Sequence, residues 1–308
     1  MSPSPGSVLR QLVGADADFY VNRNSGTPAV FNPPMLPAAL PTAADLDRAF
    51  AGNLLRYPYV KMVLSGDAVS PTAFSVSRRA GSKADEGLID SFRVAKLLME
   101  GATLLLPNLH YWHEPTAALA RSLSAELGQQ TEVFGFVTPE GTQGLDVHRD
   151  DADVLVVQIS GKKHWSLFER PADGNWRPGP VTEPGTVLLE TCLSPGQVLF
   201  VPRGAAHRAT GTDGLSIHLS FVIRQVGVRH LVQVLIAAVE KAAEGLSERP
   251  LTEQALLAEA ESLLIRVKKE TEGLTGGGIV SSARETLQAM PAVAASGPLM
   301  MVNSAADK

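Results

Sequence analysis

The pattern of apolar and turn-forming residues changes at about residue 131, and this change constrains the fold more than any other feature. Over residues 131–223, short runs rich in Val, Leu and Phe are broken by Gly, Pro or Asp roughly every eight to twelve residues. That rhythm is typical of short strands joined by turns, so the segment is predicted to form a β-sandwich or a β-barrel. Hydrophobic residues make up 44% of the chain, which is enough to fill such a core.

Helical patterns flank the β-rich segment. Residues 114–127 have apolar side chains at helical spacing and end at Gly128, a common helix C-cap. Residues 228–243 and 251–269 have the same periodicity and are predicted to be helices. A run of three glycines begins at Gly276 and is predicted to be a flexible break in the chain.

The N-terminal part of the chain has weaker patterns. A short helix is predicted near residues 7–12, after which scattered Pro, Gly and Asn favour an irregular extended arm. Thr42 is followed by acidic residues, as at a capped helix N-terminus. Residues 54–64 alternate in the manner of a strand.

These patterns divide the chain into four regions. We expect an N-terminal arm with supporting helices and strands over residues 1–100, and a barrel core over residues 101–224. A helical region is expected over residues 225–275, and a partly disordered tail over residues 276–308.

Charge and cysteine content exclude several classes of protein. The formal net charge of −5 disfavours non-specific nucleic-acid binding, which needs an excess of basic residues. Cys192 is the single cysteine, so neither an intramolecular disulfide nor a thiolate metal cluster can form. Residues 1–10 lack the layout of a signal peptide, and no stretch approaches the roughly twenty apolar residues of a membrane span. We therefore expect a soluble cytoplasmic protein that contacts neither membranes nor nucleic acids.

Three residues in the β-rich segment have the chemistry of a metal site. His148 and Asp150 are two residues apart, so on a strand both side chains face the same side. His207 follows a buried-strand pattern and a Pro-Arg-Gly turn, which would place a second imidazole at the start of another strand. Two histidines and one carboxylate form the facial triad of non-haem Fe(II) oxygenases, although zinc can bind the same ligands.

Six short blocks occur in order around these residues: 101–110, 138–144, 148–150, 158–165, 201–207 and 216–220. Together they resemble the JmjC-type ribosomal oxygenases, also called the cupin-4 group, between residues 100 and 223. The resemblance implies a mainly β fold with flanking helices. Its core would be a double-stranded β-helix, the cupin or JmjC barrel, followed by a C-terminal helical dimerisation region that makes a homodimer.

The same resemblance implies Fe(II) and 2-oxoglutarate as cofactors and hydroxylation of a side chain in a protein or peptide. His148, Asp150 and His207 match the metal ligands and would be the catalytic residues. Lys163 matches the lysine that binds the distal carboxylate of 2-oxoglutarate. Elementary electrostatics agrees, because a lysine inside a barrel is costly unless it meets an anion.

The chain departs from this family at co-substrate positions. The family carries Asn and Tyr where this chain has Phe134 and Phe136, and Ser or Thr where it has Val222. Polar contacts to the co-substrate are thereby lost. We expect hydroxyl side chains to compensate by binding it, and the candidates are Thr138, Ser216 and Ser220. The alternative is that the co-substrate sits differently.

The substrate and the class of the protein stay open at this point. A ribosomal protein or a peptide precursor is expected as substrate, and the alternative is a free amino acid or biosynthetic intermediate. A non-catalytic cupin dimer that binds a ligand or peptide is a second possibility, and a zinc hydrolase is a third.

Overall fold

The computed structural model describes residues 7–288 apart from residues 15, 81, 82 and 173. These residues fall into two units, the first ending at Arg224 and the second beginning at Gln225. The strands all belong to the first unit: β1 (Ala29–Phe31), β2 (Lys61–Leu64), β3 (Asp67–Ala68), β4 (Ser75–Ala80), β5 (Lys83–Ile89), β6 (Thr103–Leu106), β7 (Thr131–Thr138), β8 (His148–Arg149), β9 (Ala152–Phe168), β10 (Gly179–Pro180), β11 (Val187–Leu193), β12 (Val198–Val201) and β13 (Ala206–Arg224). Its helices are α1 (Val8–Val13), α2 (Asp16–Ser25), α3 (Ala43–Ala51), α4 (Pro71–Phe74), α5 (Ser91–Met99) and α6 (Glu114–Leu127), with a 3₁₀ turn at Leu109–Tyr111.

Two long strands, β9 and β13, organise one large antiparallel sheet. The strand order is β1-β12-β9-β13-β7-β6-β2-β3, while β4 and β5 form a separate hairpin. The first half of β9 pairs with β12 and the second half with β11; the start of β13 pairs with β8 and its second half with β7. Because each long strand changes neighbours along its length, the sheet wraps around an interior space. The predicted mainly β architecture with flanking helices is confirmed.

The bend in β9 requires a glycine. Gly161 has φ +59°, and a Cβ at this position would lie 2.6 Å from the carbonyl oxygen of Leu215. A larger residue would therefore push the two long strands apart where they fold over each other.

The run of apolar residues at 154–157 is buried on both faces of the sheet. Leu155 and Val157 pack in the larger core, which also contains side chains of the flanking helices. Val154 and Val156 point the other way and belong to a second apolar cluster inside the barrel. This arrangement explains why the sequence of β9 is nearly continuous in apolar residues rather than alternating.

Several sequence predictions hold and others are wrong. Thr42 caps α3 through a capping box, and α6 ends at Gly128 in the left-handed conformation, as predicted. The extended arm contains a helix that the sequence did not predict, α2. Its Phe19 is buried whereas Val21 is exposed, so the apolar residues do not form a periodic stripe. The strand predicted over residues 54–64 is confined to β2, since Pro58 cannot donate a ladder hydrogen bond.

The second unit consists of helices α7 (Val228–Ala243), α8 (Glu253–Glu272) and α9 (Gly276–Gln288). The first two lie close to the predicted helices. The glycine run does not break the chain, because it forms the first turn of α9. The remainder of the predicted tail, residues 289–308, lies outside the described residues. Over the part of the chain that the structure describes, no helix is long and apolar enough to cross a bilayer.

Phe200 is a sensitive point of the larger core. Its ring is fully buried and meets the ring of Phe19 edge-on at a centroid distance of 5.5 Å. We expect Phe200→Ala to lower the free energy of unfolding by about 3–5 kcal/mol, because it leaves a cavity between β12 and α2. Phe92→Ala, at a side chain that is 89% exposed, should change it by less than about 0.5 kcal/mol. Urea unfolding of both variants measures the difference, and equal losses would contradict this packing.

Candidate metal centre

The two candidate histidines are cross-strand neighbours. His148 on β8 lies directly opposite His207 on β13, and their ring centroids are 4.3 Å apart. Strand pairing therefore brings together two residues that are far apart in sequence. Asp150 follows β8 immediately, with its carboxylate 3.8 Å from Nε2 of His148 and 3.6 Å from Nε2 of His207.

One potential ligand atom from each of these residues lies within 4.8 Å of the other two. In each histidine the Nδ1 nitrogen faces a backbone carbonyl: Asp146 O is 2.7 Å from His148, and Ala205 O is 3.1 Å from His207. A carbonyl only accepts, so both Nδ1 atoms carry the proton. Both Nε2 atoms therefore present a lone pair to the same point, as in imidazoles that bind metals.

Burial favours the neutral form of His207. Loss of solvent, assisted by the nearby His148, lowers the pKa of His207 to about 4, although the Asp150 carboxylate acts in the opposite direction. A metal ligand must be a neutral imidazole, so this environment keeps His207 ready to coordinate near neutral pH.

Arg149 holds the ligand-bearing segments together. Arg149 lies between His148 and Asp150 in sequence. Its side chain is buried and lies on the opposite face of β8. Its Nη1 donates to the carbonyl oxygens of Gly204 at 2.6 Å and Glu169 at 3.1 Å, which tethers β8 to the turn before His207 and to the end of β9. Sequence patterns do not predict this role of Arg149, because it depends on carbonyl groups that are 20 and 55 residues away in the chain.

The neighbouring carboxylates have other roles. Asp151 forms an ion pair with Arg203, whose Nη2 is 2.6 Å away. Asp153 accepts from Nε of Arg23 at 2.8 Å and from the backbone N–H of Arg203. Both point away from the three candidate ligands, so Asp150 is the carboxylate that faces them.

The three residues open onto a cavity of about 260 Å³ inside the barrel. Most of its wall is apolar, and the polar side chains that reach it include Lys163, His218 and Ser220. The Nδ1 atom of His218 is buried without a hydrogen-bond partner among the described residues, and its ring stacks on Phe136 at 4.7 Å. Burial, with the nearby Lys163 and His207, holds the pKa of His218 well below its ordinary value.

Lys163 is an unusual buried cation. Its side chain is 2% exposed, and its Nζ donates to Oγ1 of Thr138 at 2.8 Å. Burial lowers the pKa of Lys163 to about 7, because a hydroxyl partner does not replace the lost hydration of an ammonium group. An anion in the cavity would restore that stabilisation.

The three hydroxyl residues predicted to bind the co-substrate lie at different places. Ser220 lines the cavity. Thr138 does not line it and acts on Lys163 instead. Ser216 is fully buried beneath the wall, where its hydroxyl accepts from Nε2 of Gln158 at 2.9 Å, so a direct contact with a ligand does not fit its position.

Three residues that differ from the family pattern are found in the wall of this cavity. Phe134, Phe136 and Val222 are all part of its wall. Their side chains add apolar surface where the resemblance implies amide and hydroxyl groups.

Comparisons with known proteins agree with this fold. Residues 111–231 match the family model described as a JmjC domain. Among solved structures, Escherichia coli YcfD superposes with a TM-score of 0.55 and 19% identity over 85% of this chain and 69% of that chain. A structure of YcfD described as a ribosomal oxygenase in complex with cobalt and 2-oxoglutarate superposes with a TM-score of 0.53 and 19% identity, over 84% of this chain and 68% of that chain.

Curated relatives are similar over the same region. Ribosomal oxygenase 2 of Rattus norvegicus is 38% identical over 89 residues, which cover 28% of this chain and 19% of the relative. The bifunctional lysine-specific demethylase and histidyl-hydroxylase NO66 of Drosophila melanogaster is 33% identical over 119 residues, 35% of this chain and 18% of that protein. The match thus spans about a fifth of the length of these relatives. Residues 111–231 are thus similar to JmjC domains, and the predicted resemblance to the ribosomal oxygenases is confirmed.

Replacing Lys163 by Met should stabilise the ligand-free protein at neutral pH. The pKa of Lys163 is about 7 in the folded state against an ordinary 10.5, so between these values the unfolded chain holds the extra proton. The resulting penalty is complete below pH 7 and disappears as the pH rises towards 10.5. It amounts to a few kcal/mol, since one pKa unit corresponds to about 1.4 kcal/mol.

Urea unfolding between pH 7 and pH 10 measures this effect. The advantage of Lys163→Met over the wild type should shrink as the pH rises. Lys162→Met is the control, because Lys162 is largely exposed and pairs with Asp213 at 2.9 Å; it should change stability by less than about 1 kcal/mol. A Lys163→Met protein that is less stable at pH 7 would contradict the buried-cation penalty.

Proposed function

We propose that this protein is an Fe(II)- and 2-oxoglutarate-dependent oxygenase that hydroxylates a side chain of a protein or peptide. One observation carries the proposal: two imidazole Nε2 atoms and one carboxylate converge on the cavity into which a buried lysine also points. The converging donors suit a divalent metal, and the lysine suits the far end of a dicarboxylate.

The donor set fits iron. His148, Asp150 and His207 would hold the metal through two nitrogens and one oxygen, leaving coordination positions open for a co-substrate and dioxygen. When bound, iron with 2-oxoglutarate supplies the oxidising power to hydroxylate a C–H bond. The hydrogen bonds from the two Nδ1 atoms to backbone carbonyls would fix the ring orientations before the metal arrives.

The interior fits the co-substrate. Lys163 would bind the distal carboxylate, and Thr138 would hold the ammonium group in position. The apolar wall would exclude water, which strengthens the attraction between lysine and carboxylate. Bringing an anion to Lys163 also offsets the burial of its charge.

A ribosomal protein is the proposed substrate, because similar proteins are named as ribosomal oxygenases and as a histidyl-hydroxylase. We also propose a cytoplasmic location. Hydroxylation of a free amino acid is the alternative, and assays with peptides and with free amino acids separate the two.

Turnover of 2-oxoglutarate tests the proposed activity. Protein loaded with Fe(II) should convert 2-oxoglutarate to succinate in the presence of ribosomal proteins or peptides. Loss of a residue that only hydrogen-bonds to a metal ligand typically lowers metal affinity or activity by roughly 10- to 100-fold. Asp150→Ala removes a ligand itself, so it should lower both bound iron and turnover by more than that. Asp151→Ala is the matched control, since Asp151 pairs with Arg203 instead.

Iron content by elemental analysis and succinate by mass spectrometry are the measurements. Absence of both retained iron and succinate would rule out the oxygenase and favour a non-catalytic binding protein. Retained zinc with peptide cleavage would favour a hydrolase.

We further propose that the helical unit forms a homodimer. Helix α7 carries four exposed apolar side chains, Val232, Leu235, Ile236 and Val239, each at least 40% exposed. Their spacing of three and four residues places them on one face of the helix. A second copy of this chain, which presents the same face, would cover them in a symmetric interface.

Light scattering after size exclusion tests the dimer. Ile236→Lys should convert it to a monomer, because it places a charge in the apolar face. Ala237→Lys adds the same charge at an exposed position on another side of the helix and should leave the dimer intact. A wild-type protein that is monomeric at micromolar concentration would refute the proposal.

A further inference from the structure

We infer that the side chain accepted by this site is apolar, of the aliphatic or phenyl type, rather than an imidazole or a guanidinium group. The inference rests on the proposed function and names the substrate class of the same cavity. Its basis is the separation of a polar inner end from an apolar outer end.

Strand register orders the residues along the cavity. Lys163 contacts Thr138, and Thr138 lies opposite Ser216 on β13. From this inner level, β13 runs outwards through His218 to Val222. At about 3.3 Å per residue, Val222 lies roughly 20 Å along the strand from Ser216.

Phe134 is also displaced from the inner end. It lies opposite Ser220 and is about 13 Å along β7 from Thr138, at the same rise per residue. The carbon chain of 2-oxoglutarate is about 6 Å long, since each C–C bond is about 1.5 Å. A co-substrate anchored on Lys163 therefore does not extend to Val222. The outer wall is left for the substrate.

The outer wall is a continuous apolar surface. Val222 lies directly opposite Val154, and Val154 lies opposite Val201 on its other side. Val156 pairs with Ser220, next to Phe134 across the adjacent strand. Four of these side chains, Val154, Val156, Val201 and Val222, belong to the apolar cluster inside the barrel, and Phe134 packs against them.

The polar groups at this end do not suit a basic or imidazole side chain. Ser220 offers one hydroxyl, whereas an imidazole has two polar nitrogens and a guanidinium has five N–H donors. Arg208 also lines the cavity, and its positive charge opposes a cationic substrate side chain. Arg224 is held by Glu132 at 2.6 Å, so that carboxylate is already engaged.

The position of the outer wall changes the role expected for two residues that differ from the family pattern. Phe134 and Val222 stand where the family carries Asn and Ser or Thr, and the resemblance would assign both positions to the co-substrate. Their location at the outer end assigns them to the substrate instead. Loss of the amide and the hydroxyl would then change which side chain binds, and co-substrate binding would be preserved.

The reaction at such a side chain is balanced. One C–H bond of the substrate becomes C–OH with one oxygen atom of dioxygen. The other oxygen atom enters succinate as 2-oxoglutarate loses carbon dioxide. The two electrons from the C–H bond and the two from oxidative decarboxylation reduce dioxygen.

The test uses full-length, iron-loaded protein and six peptide pools with randomised flanks. The central residue of each pool is fixed as Leu, Val, Phe, His, Arg or Gln, and mass spectrometry measures the gain of one oxygen atom. We expect the Leu, Val or Phe pools to exceed the His and Arg pools by roughly 10- to 100-fold in kcat/KM, the effect of burying unpaired polar groups. The double variant Phe134→Asn, Val222→Ser should shift this preference towards His.

Two further measurements separate substrate from co-substrate effects. The dissociation constant for 2-oxoglutarate, measured by calorimetry with Co(II)-loaded protein, should change by less than about threefold in Val222→Ser. Val187→Ser is the control for the substitution itself, because Val187 is exposed on β11 and does not line the cavity. It should leave both the pool preference and 2-oxoglutarate binding unchanged.

Each outcome decides the inference. Preference of the wild type for His or Arg pools, or no preference, overturns it while leaving the oxygenase proposal intact. A tenfold or larger change in 2-oxoglutarate affinity in Val222→Ser also overturns it, by placing Val222 at the co-substrate. No oxygen gain or succinate with any pool would reject the proposed function and this inference together.

Discussion

The candidate site depends on one short ladder of backbone pairing. Between β8 and β13, two residue pairs place His148 opposite His207 and Arg149 opposite Ala206. The guanidinium of Arg149 then bonds two carbonyl oxygens on neighbouring segments, which fixes the ladder from its outer side. The converging Nε2 atoms are a consequence of this register, because a slip by one residue would place the two imidazoles on opposite faces of the sheet.

The interior of the barrel contains a lysine whose burial is energetically unfavourable. Lys163 is buried with a threonine hydroxyl as its polar partner, and its pKa falls to about 7. Such a group lowers the stability of the ligand-free protein, which is common where a site is kept ready for a charged ligand. In the proposed function the same burial would favour an anionic ligand, since a neutral ligand would leave the charge of Lys163 unpaired.

Chemical character changes along the cavity from inside to outside. Lys163 contacts Thr138 at the inner end, and the outer wall carries Phe134, Val154 and Val222. Similarity to ribosomal oxygenases accounts for the barrel and the triad, while the apolar outer wall belongs to this chain. Under the proposed function, such a site would keep its metal ligands and its buried lysine while the outer wall changes the side chain that it accepts.

Local patterns in the sequence were sufficient for the elements and for part of the site. The i, i+2 spacing of His148 and Asp150 needs only a strand, and capping residues such as Thr42 need only their own helix. What joins distant segments was decided by the tertiary structure: the tether of Arg149, the helix built around Phe19 and the position of Val222 along β13. Local spacing shows which residues share a face, but register between strands is set by packing over the whole sheet. The sequence by itself therefore determined which residue types are available as candidate metal ligands. Only the fold decided which end of the cavity each residue faces.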